Sequence, residues 1–165
     1  MRYKLRQEFP FPIKTVIAAR ELRYDDIENQ PGLKSQELLG IEKQGSLLVT
    51  RRLFRFGSAI PDLVKKMVPA KMLEMVDTNY FDTETYLSKF TMQSEYAPDK
   101  VKITATCPYI SLSERLTARE YDVLVEVNIP LVGTAVAKAV AESHREALIK
   151  DHLIILKACE KIAGR

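Results

Sequence analysis

Only two of the 165 residues are cysteines, Cys107 and Cys159, and neither belongs to a Cys-x-x-Cys or Cys/His pair of metal-ligand spacing. No metal site or disulfide framework is expected; the thiols should be free, and a reducing, cytoplasmic compartment fits this usage. Glycine is also scarce. None of the six stands in a G-x-G-x-x-G or G-x-x-x-x-G-K arrangement, so a phosphate-cradling loop, and with it a nucleotide cofactor, is not expected. The G-x-S-x-G elbow and the H-E-x-x-H helix are missing as well, which disfavours hydrolase and zinc-protease chemistry. Charge of one sign is not in excess: 25 Lys and Arg against 22 Asp and Glu leave a net charge of +3. That balance gives no field of the kind duplex-binding proteins carry, and no aromatic and basic interleaving of RRM type accompanies it, so nucleic acid is not an expected partner. No window approaches the ~18 apolar residues of a membrane span. The opening MRYKLRQEF bears a charge at every second position in place of a signal-peptide core.

What the chain does contain is ordinary globular material, 46% apolar and 28% charged, enough at this length for one domain over residues 1–165 with a buried core. Tyr3, Leu5, Gln7 and Phe9 alternate with Lys4, Arg6 and Glu8, the period of a half-buried strand. A short helix is predicted from Ile13 to Leu22, with Asn29-Gln30-Pro31-Gly32 stopping that region. Leu33 to Ile41 and Leu47 to Phe56 read as a hairpin around Lys43-Gln44-Gly45, whose glycine supplies the positive φ of a tight reversal. From Ile60 to Met72 a helical stripe of Ile60, Leu63, Val64, Met67 and Val68 is broken by Pro69, giving a short amphipathic insertion. Leu73 to Tyr80, Thr85 to Tyr96, Val101 to Tyr109 and Tyr121 to Ile129 carry the alternation of meander strands. From Gly133 no proline or interior glycine interrupts the chain before Gly164, so one helix of about 28 residues is expected. Its projection places Val136, Val140, Ala147, Ile154, Ile155, Ala158 and Ile162 on one stripe, with Lys138, Glu142, Lys150 and Lys157 opposite.

This order of elements resembles the helix-grip fold of the START-like superfamily, also called SRPBCC. The segment VLVEVNIPLVGTAVAKAV, residues 123–140, runs a last strand into the terminal helix, and the opening FPFPIKTVIAA is similar to the first strand and helix of many members. The chain looks like the uncharacterised bacterial branch of the superfamily and, more distantly, the PRELI-type phospholipid-transfer proteins. The resemblance implies an α+β fold in which a curved antiparallel sheet of six or seven strands wraps a long C-terminal helix. It does not select a chemistry, because the same fold serves lipid carriers, receptors and polyketide cyclases.

The sharpest anomaly is on the terminal helix, where His144 and Asp151 are two turns apart and both project onto the apolar stripe beside Ala147. They either line a ligand cavity, with His144 meeting a polar group of the ligand and Asp151 orienting it or acting as a base, or bond to sheet side chains or backbone. His152 falls at the stripe edge as a rim residue. In RRLFRF, Arg51 and Arg55 share one strand face and Arg52 the other. Arg51 is a candidate to grip a ligand carboxylate or phosphate, the alternative being a solvated, ion-paired sheet face. Met92 and Tyr109 are candidate cavity-wall residues, an adaptable apolar surface and a polar handle. Ile60, Leu63, Val64 and Met67 are a candidate lid, flanked by Lys65, Lys66 and Lys71, which suit transient contact with an anionic membrane surface. The alternative is a helix that simply caps the core.

Three functions remain. The favoured one is non-catalytic binding or transport of a lipid-like or other hydrophobic small molecule, with no cofactor. The second is a polyketide cyclase or dehydratase using a cavity His/Asp pair. The third is a protein-interaction module without a ligand, and the sequence leaves oligomeric state open.

Overall fold

Alternation of apolar and polar residues is enough to place the first strand, β1 (Arg2–Phe9), with Tyr3, Leu5, Gln7 and Phe9 inward. Pro10 and Pro12 release the chain into α1 (Ile13–Leu22), which buries Val16, Ala19 and Arg20. The computed structural model describes residues 1–24, 32–57 and 60–164; the helix stop expected at Asn29-Gln30-Pro31 lies outside them. Next come β2 (Leu33–Gln44) and β3 (Leu47–Phe56), joined at Gly45, whose φ of 60° is the left-handed value the turn requires. The amphipathic insertion forms α2 (Asp62–Met67), and after Pro69 a 3-10 turn spans Ala70–Leu73. The meander follows as β4 (Glu74–Asp82), β5 (Leu87–Ser94), β6 (Val101–Ser113) and β7 (Leu116–Val127), ahead of α3 (Gly133–Ile162).

The strands form one antiparallel seven-stranded sheet in the order β1-β7-β6-β5-β4-β3-β2. This curved sheet with its long terminal helix is the helix-grip arrangement. Several boundaries differ from expectation: β2 runs on to Gln44, β4 to Asp82 and β6 to Ser113, while β5 is confined to Leu87–Ser94. β7 begins at Leu116 instead of Tyr121, and it ends at Val127, where it pairs with Val101, the first residue of β6.

Helix α3 is 30 residues long and packs on the inner face. The main core joins Phe9, Val16, Ala105, Val123 and Val125 to Ala137, Ala141, Ile155 and Cys159 of the helix. A second cluster seats Val64 and Val68 of the insertion on Val136. Of the expected stripe, Val136 and Ile155 are fully buried, and Val140, Ile154 and Ala158 are half-buried. Ala147 and Ile162 are exposed, and Lys138, Glu142, Lys150 and Lys157 are in contact with solvent as projected. The buried face is centred instead on Gly133, Ala137 and Ala141 at one end and Ile155 and Cys159 at the other. Cys107 and Cys159 are free thiols.

Gly133 sets how closely α3 approaches the sheet, since a Cβ there would stand 2.6 Å from the Val127 carbonyl oxygen. Gly133→Ala should therefore force the helix start away from β7 and cost about 1–3 kcal/mol. Urea denaturation checks this; an unchanged midpoint would show that the close approach is not structurally required.

Candidate functional site

Burial along α3 is interrupted. Fully buried residues occur up to Ala141 and again from Ile155, and between Glu142 and Ile154 none is fully buried. The middle of the helix spans a cavity of about 250 Å³ between helix and sheet. Its wall is mainly apolar, with Phe54, Met75, Phe90, Met92 and Ile103 from the sheet and Val140, Leu148 and Ile154 from the helix.

At one side of this space a buried ion pair ties helix to sheet. Arg119 is completely buried, and its Nη1 lies 3.1 Å from Asp151 Oδ2. The register of β1 and β7 places Gln7 opposite Arg119, and the Gln7 amide oxygen accepts from Arg119 Nε at 3.0 Å and from Nη2. Gln7 in turn donates to the Leu148 carbonyl at 2.9 Å, a second tie to α3. Arg119 Nη1 also approaches the Tyr109 hydroxyl at 3.5 Å. From the end of α1, Arg23 reaches Asp151 at 3.5 Å and donates to the Tyr24 hydroxyl at 2.6 Å. Burial opposes the charge on Arg119, but Tyr121, Tyr109 and Asp151 around it outweigh burial and push its pKa above the ordinary value. The same seclusion raises the Cys107 thiol to about 11, leaving it an unreactive wall residue.

His144 is engaged elsewhere. Its Nδ1 lies 2.6 Å from the Tyr3 hydroxyl, and its ring meets Phe90 at 6.0 Å between centroids. Burial lowers its pKa to about 4, so the imidazole is neutral near pH 7. Burial also raises the Tyr3 hydroxyl above its usual range, so the hydrogen bond joins an intact phenol to an uncharged imidazole. The expected orientation of His144 by Asp151 is not made, because Asp151 faces the arginines and His144 faces Tyr3.

His144, Ala147, Asp151, Tyr109 and Met92 all line the cavity, together with Ile60 and Val64 of the insertion. Leu63 and Met67 do not; they point outward and are about two-fifths exposed. Arg51 also lies outside the lining. It is exposed on the outer sheet face with Arg55, whereas Phe54 and Phe56 line the cavity from the inner face that Arg52 shares. A cavity-facing Arg51 fails because Leu53, between the two arginines, buries itself on the outer face as well, so burial did not separate the faces. His152 is a rim residue, its Nε2 2.8 Å from the Glu8 carbonyl and its ring edge-on to Phe9.

Sequence reasoning missed Arg119, Arg23, Gln7 and Asp77. Extending the Tyr121, Val123, Val125 alternation back by two residues would have placed Arg119 on the inner face. Asp77, on the inner face of β4, is also buried, and burial lifts its pKa from 3.8 to about 7 against the pull of Arg23, Arg52 and Arg20.

A family described as "Protein of unknown function (DUF2505)" matches residues 4–157. No curated protein matches the sequence. Among solved structures, the protein TTHA0849 from Thermus thermophilus superposes with a TM-score of 0.68 at 14% identity, covering 98% of this chain and 99% of that one. The ZhuI aromatase/cyclase from Streptomyces sp. R1128 gives 0.64 at 10% identity over 98% and 94% of the two chains. A START superfamily protein from Mycobacterium smegmatis gives 0.58 at 15% identity over 98% of each. The likeness is one of fold, the helix-grip fold of the START-like superfamily.

The raised pKa of Asp77 gives stability a definite pH dependence. The folded chain holds this proton more tightly than the unfolded chain, so the contribution is full below about 3.8 and is lost as pH rises toward about 7. Asp77→Asn should remove that decline, melting near the unmutated protein at acid pH and above it on the alkaline side of neutrality. His144 affects both proteins alike and cancels in the difference. Parallel melting profiles across this window would contradict the assignment.

Proposed function

The chain belongs to the DUF2505 family, proteins of unknown function, and on the strength of its cavity we propose that it binds and carries a mostly apolar small molecule, such as a lipid, without catalysing its conversion. The observation that carries this reading is the unburied middle of α3 facing about 250 Å³ of mainly apolar space. Unfilled apolar volume costs stability, on the order of 20 cal/mol per Å³, so a space of this size is best accounted for by a guest that fills it. In this reading one ligand-binding domain spans the chain, His144, Asp151, Ala147, Tyr109 and Met92 form its wall, and Ile60 and Val64 close its mouth.

The exposed side of the insertion supports a way in. Leu63 and Met67 present apolar surface beside exposed Lys65, Lys66 and Lys71, a combination suited to brief contact with an anionic lipid surface, where each lysine contributes about 1 kcal/mol. No described helix is long and apolar enough to cross a membrane. The two buried thiols fit a cytoplasmic setting.

A second reading, proton transfer on a bound ring, draws support from the aromatase/cyclase among the similar structures. A carrier is preferred because the pair that such chemistry would use is divided, His144 with Tyr3 and Asp151 with Arg119 and Arg23.

Ala147 offers the test, since it lines the cavity and a larger side chain there would enter space already open. Ala147→Trp should weaken uptake of a fluorescent fatty-acid probe by roughly tenfold or more with little change in melting temperature. Unchanged uptake by a folded variant, or no uptake by the unmutated protein, would contradict the proposal.

A further inference from the structure

Asp77 is only 6% exposed and forms part of the cavity wall. No described residue hydrogen-bonds or ion-pairs with its carboxyl, even though the register of β3 and β4 sets Arg52 directly opposite it on the same face. The Arg52 guanidinium lies 3.9 Å over the Tyr24 ring. The polar groups nearby bond to other partners, with only Arg20 Nε left buried without one. Asn79 donates to the Ser88 hydroxyl at 2.9 Å, and Arg20 is held by Glu21, by the Asn79 oxygen and by the face of Phe81. A buried carboxyl without a partner is destabilising. Buried polar groups as a rule have their hydrogen bonds completed, and for Asp77 the open direction is the cavity.

Resting on the reading of the cavity as a site for an apolar guest, we propose that Asp77 anchors that guest, and that the ligand class is a neutral, mainly apolar molecule bearing a hydroxyl group hydrogen-bonded to the Asp77 carboxyl. Charge selects against the alternatives. An ammonium ligand would enter a region where Arg20, Arg23 and Arg52 already act on the carboxyl. A carboxylate ligand would face Asp77 and Asp151, while Arg23, the arginine on the cavity wall, is committed to Asp151 and the Tyr24 hydroxyl, and Lys150, the other cation of the wall, is exposed to solvent. A hydroxyl adds no charge, and it suits the carboxyl in either protonation state because it both donates and accepts. That property matters where burial holds the group near half-protonation at about pH 7.

A matched pair of probes tests this: 1-naphthol and 1-methoxynaphthalene, whose rings are the same and of which only the first donates a hydrogen bond. Calorimetric titration of the unmutated protein near neutral pH should favour the naphthol by about tenfold. Asp77→Leu should abolish that preference while leaving the affinity for the ether in place, with a melting temperature no lower than that of the unmutated protein above neutrality. Asp77→Ala, which removes the carboxyl without adding bulk, should do the same and decides the matter if the leucine variant fails to fold. Equal binding of the two compounds to the unmutated protein, or a preference that survives in the folded variants, would overturn the Asp77 anchor and leave the apolar cavity reading standing. Failure of both compounds to bind the unmutated protein would overturn both.

Discussion

The Arg119–Asp151 pair is the constraint on which the arrangement of helix and sheet depends. A guanidinium with no solvent exposure carries a full charge into the interior, and that is tolerable only with an anion and further acceptors in place. The anion comes from the middle of α3, the acceptors from Gln7 on β1 and Tyr109 on β6, and Arg23 shares Asp151 from the end of α1. Helix, sheet and α1 thus meet at one charge. Removing a single partner from such a pair typically costs about 3–5 kcal/mol, because the other charge is left uncompensated. The helix is consequently held at its middle by polar bonds and at its ends by apolar packing, and the space between these attachments is the cavity.

Holding the helix this way leaves two kinds of polar group at and behind the cavity wall. Arg119, Gln7 and Asp151 are turned on one another and serve the fold. Asp77 is not, and it lines the cavity with no hydrogen-bond partner among the described residues. The first group explains why the cavity keeps its shape, and the second gives the cavity a polar point of recognition. The insertion fits the same division: Val64 and Val68 pack on Val136, while Leu63 and Met67 on its other side are exposed.

The fold was legible because it follows from periodicity. Alternation marks strands with one dry face, as in Tyr121, Val123 and Val125, and an uninterrupted helical stretch marks α3, so the helix-grip order could be read directly. The site was legible only in part. His144 and Asp151 stood out as polar residues on an apolar stripe, and both line the cavity. Tyr3, which bonds His144, and Arg23, which reaches Asp151, lie far away along the chain, and no local pattern encodes such pairings. Arg119 was missed because β7 starts at Leu116, ahead of the cleanest alternation that opens at Tyr121. Asp77 was missed because both faces of β4 mix polar and apolar residues, Met75, Asp77 and Asn79 against Val76, Thr78 and Tyr80, so composition does not say which face is inward. Arg51 was misplaced for the same reason.

The central claim, that the space under the middle of α3 exists to hold an apolar guest, is tested most directly by native mass spectrometry of the protein purified from its own cells. The account predicts a species heavier than the polypeptide by one small molecule, lost on denaturation and recovered in an organic extract as a mostly apolar compound. Polypeptide mass alone, combined with a protein that takes up no apolar compound added at saturating concentration, would contradict it.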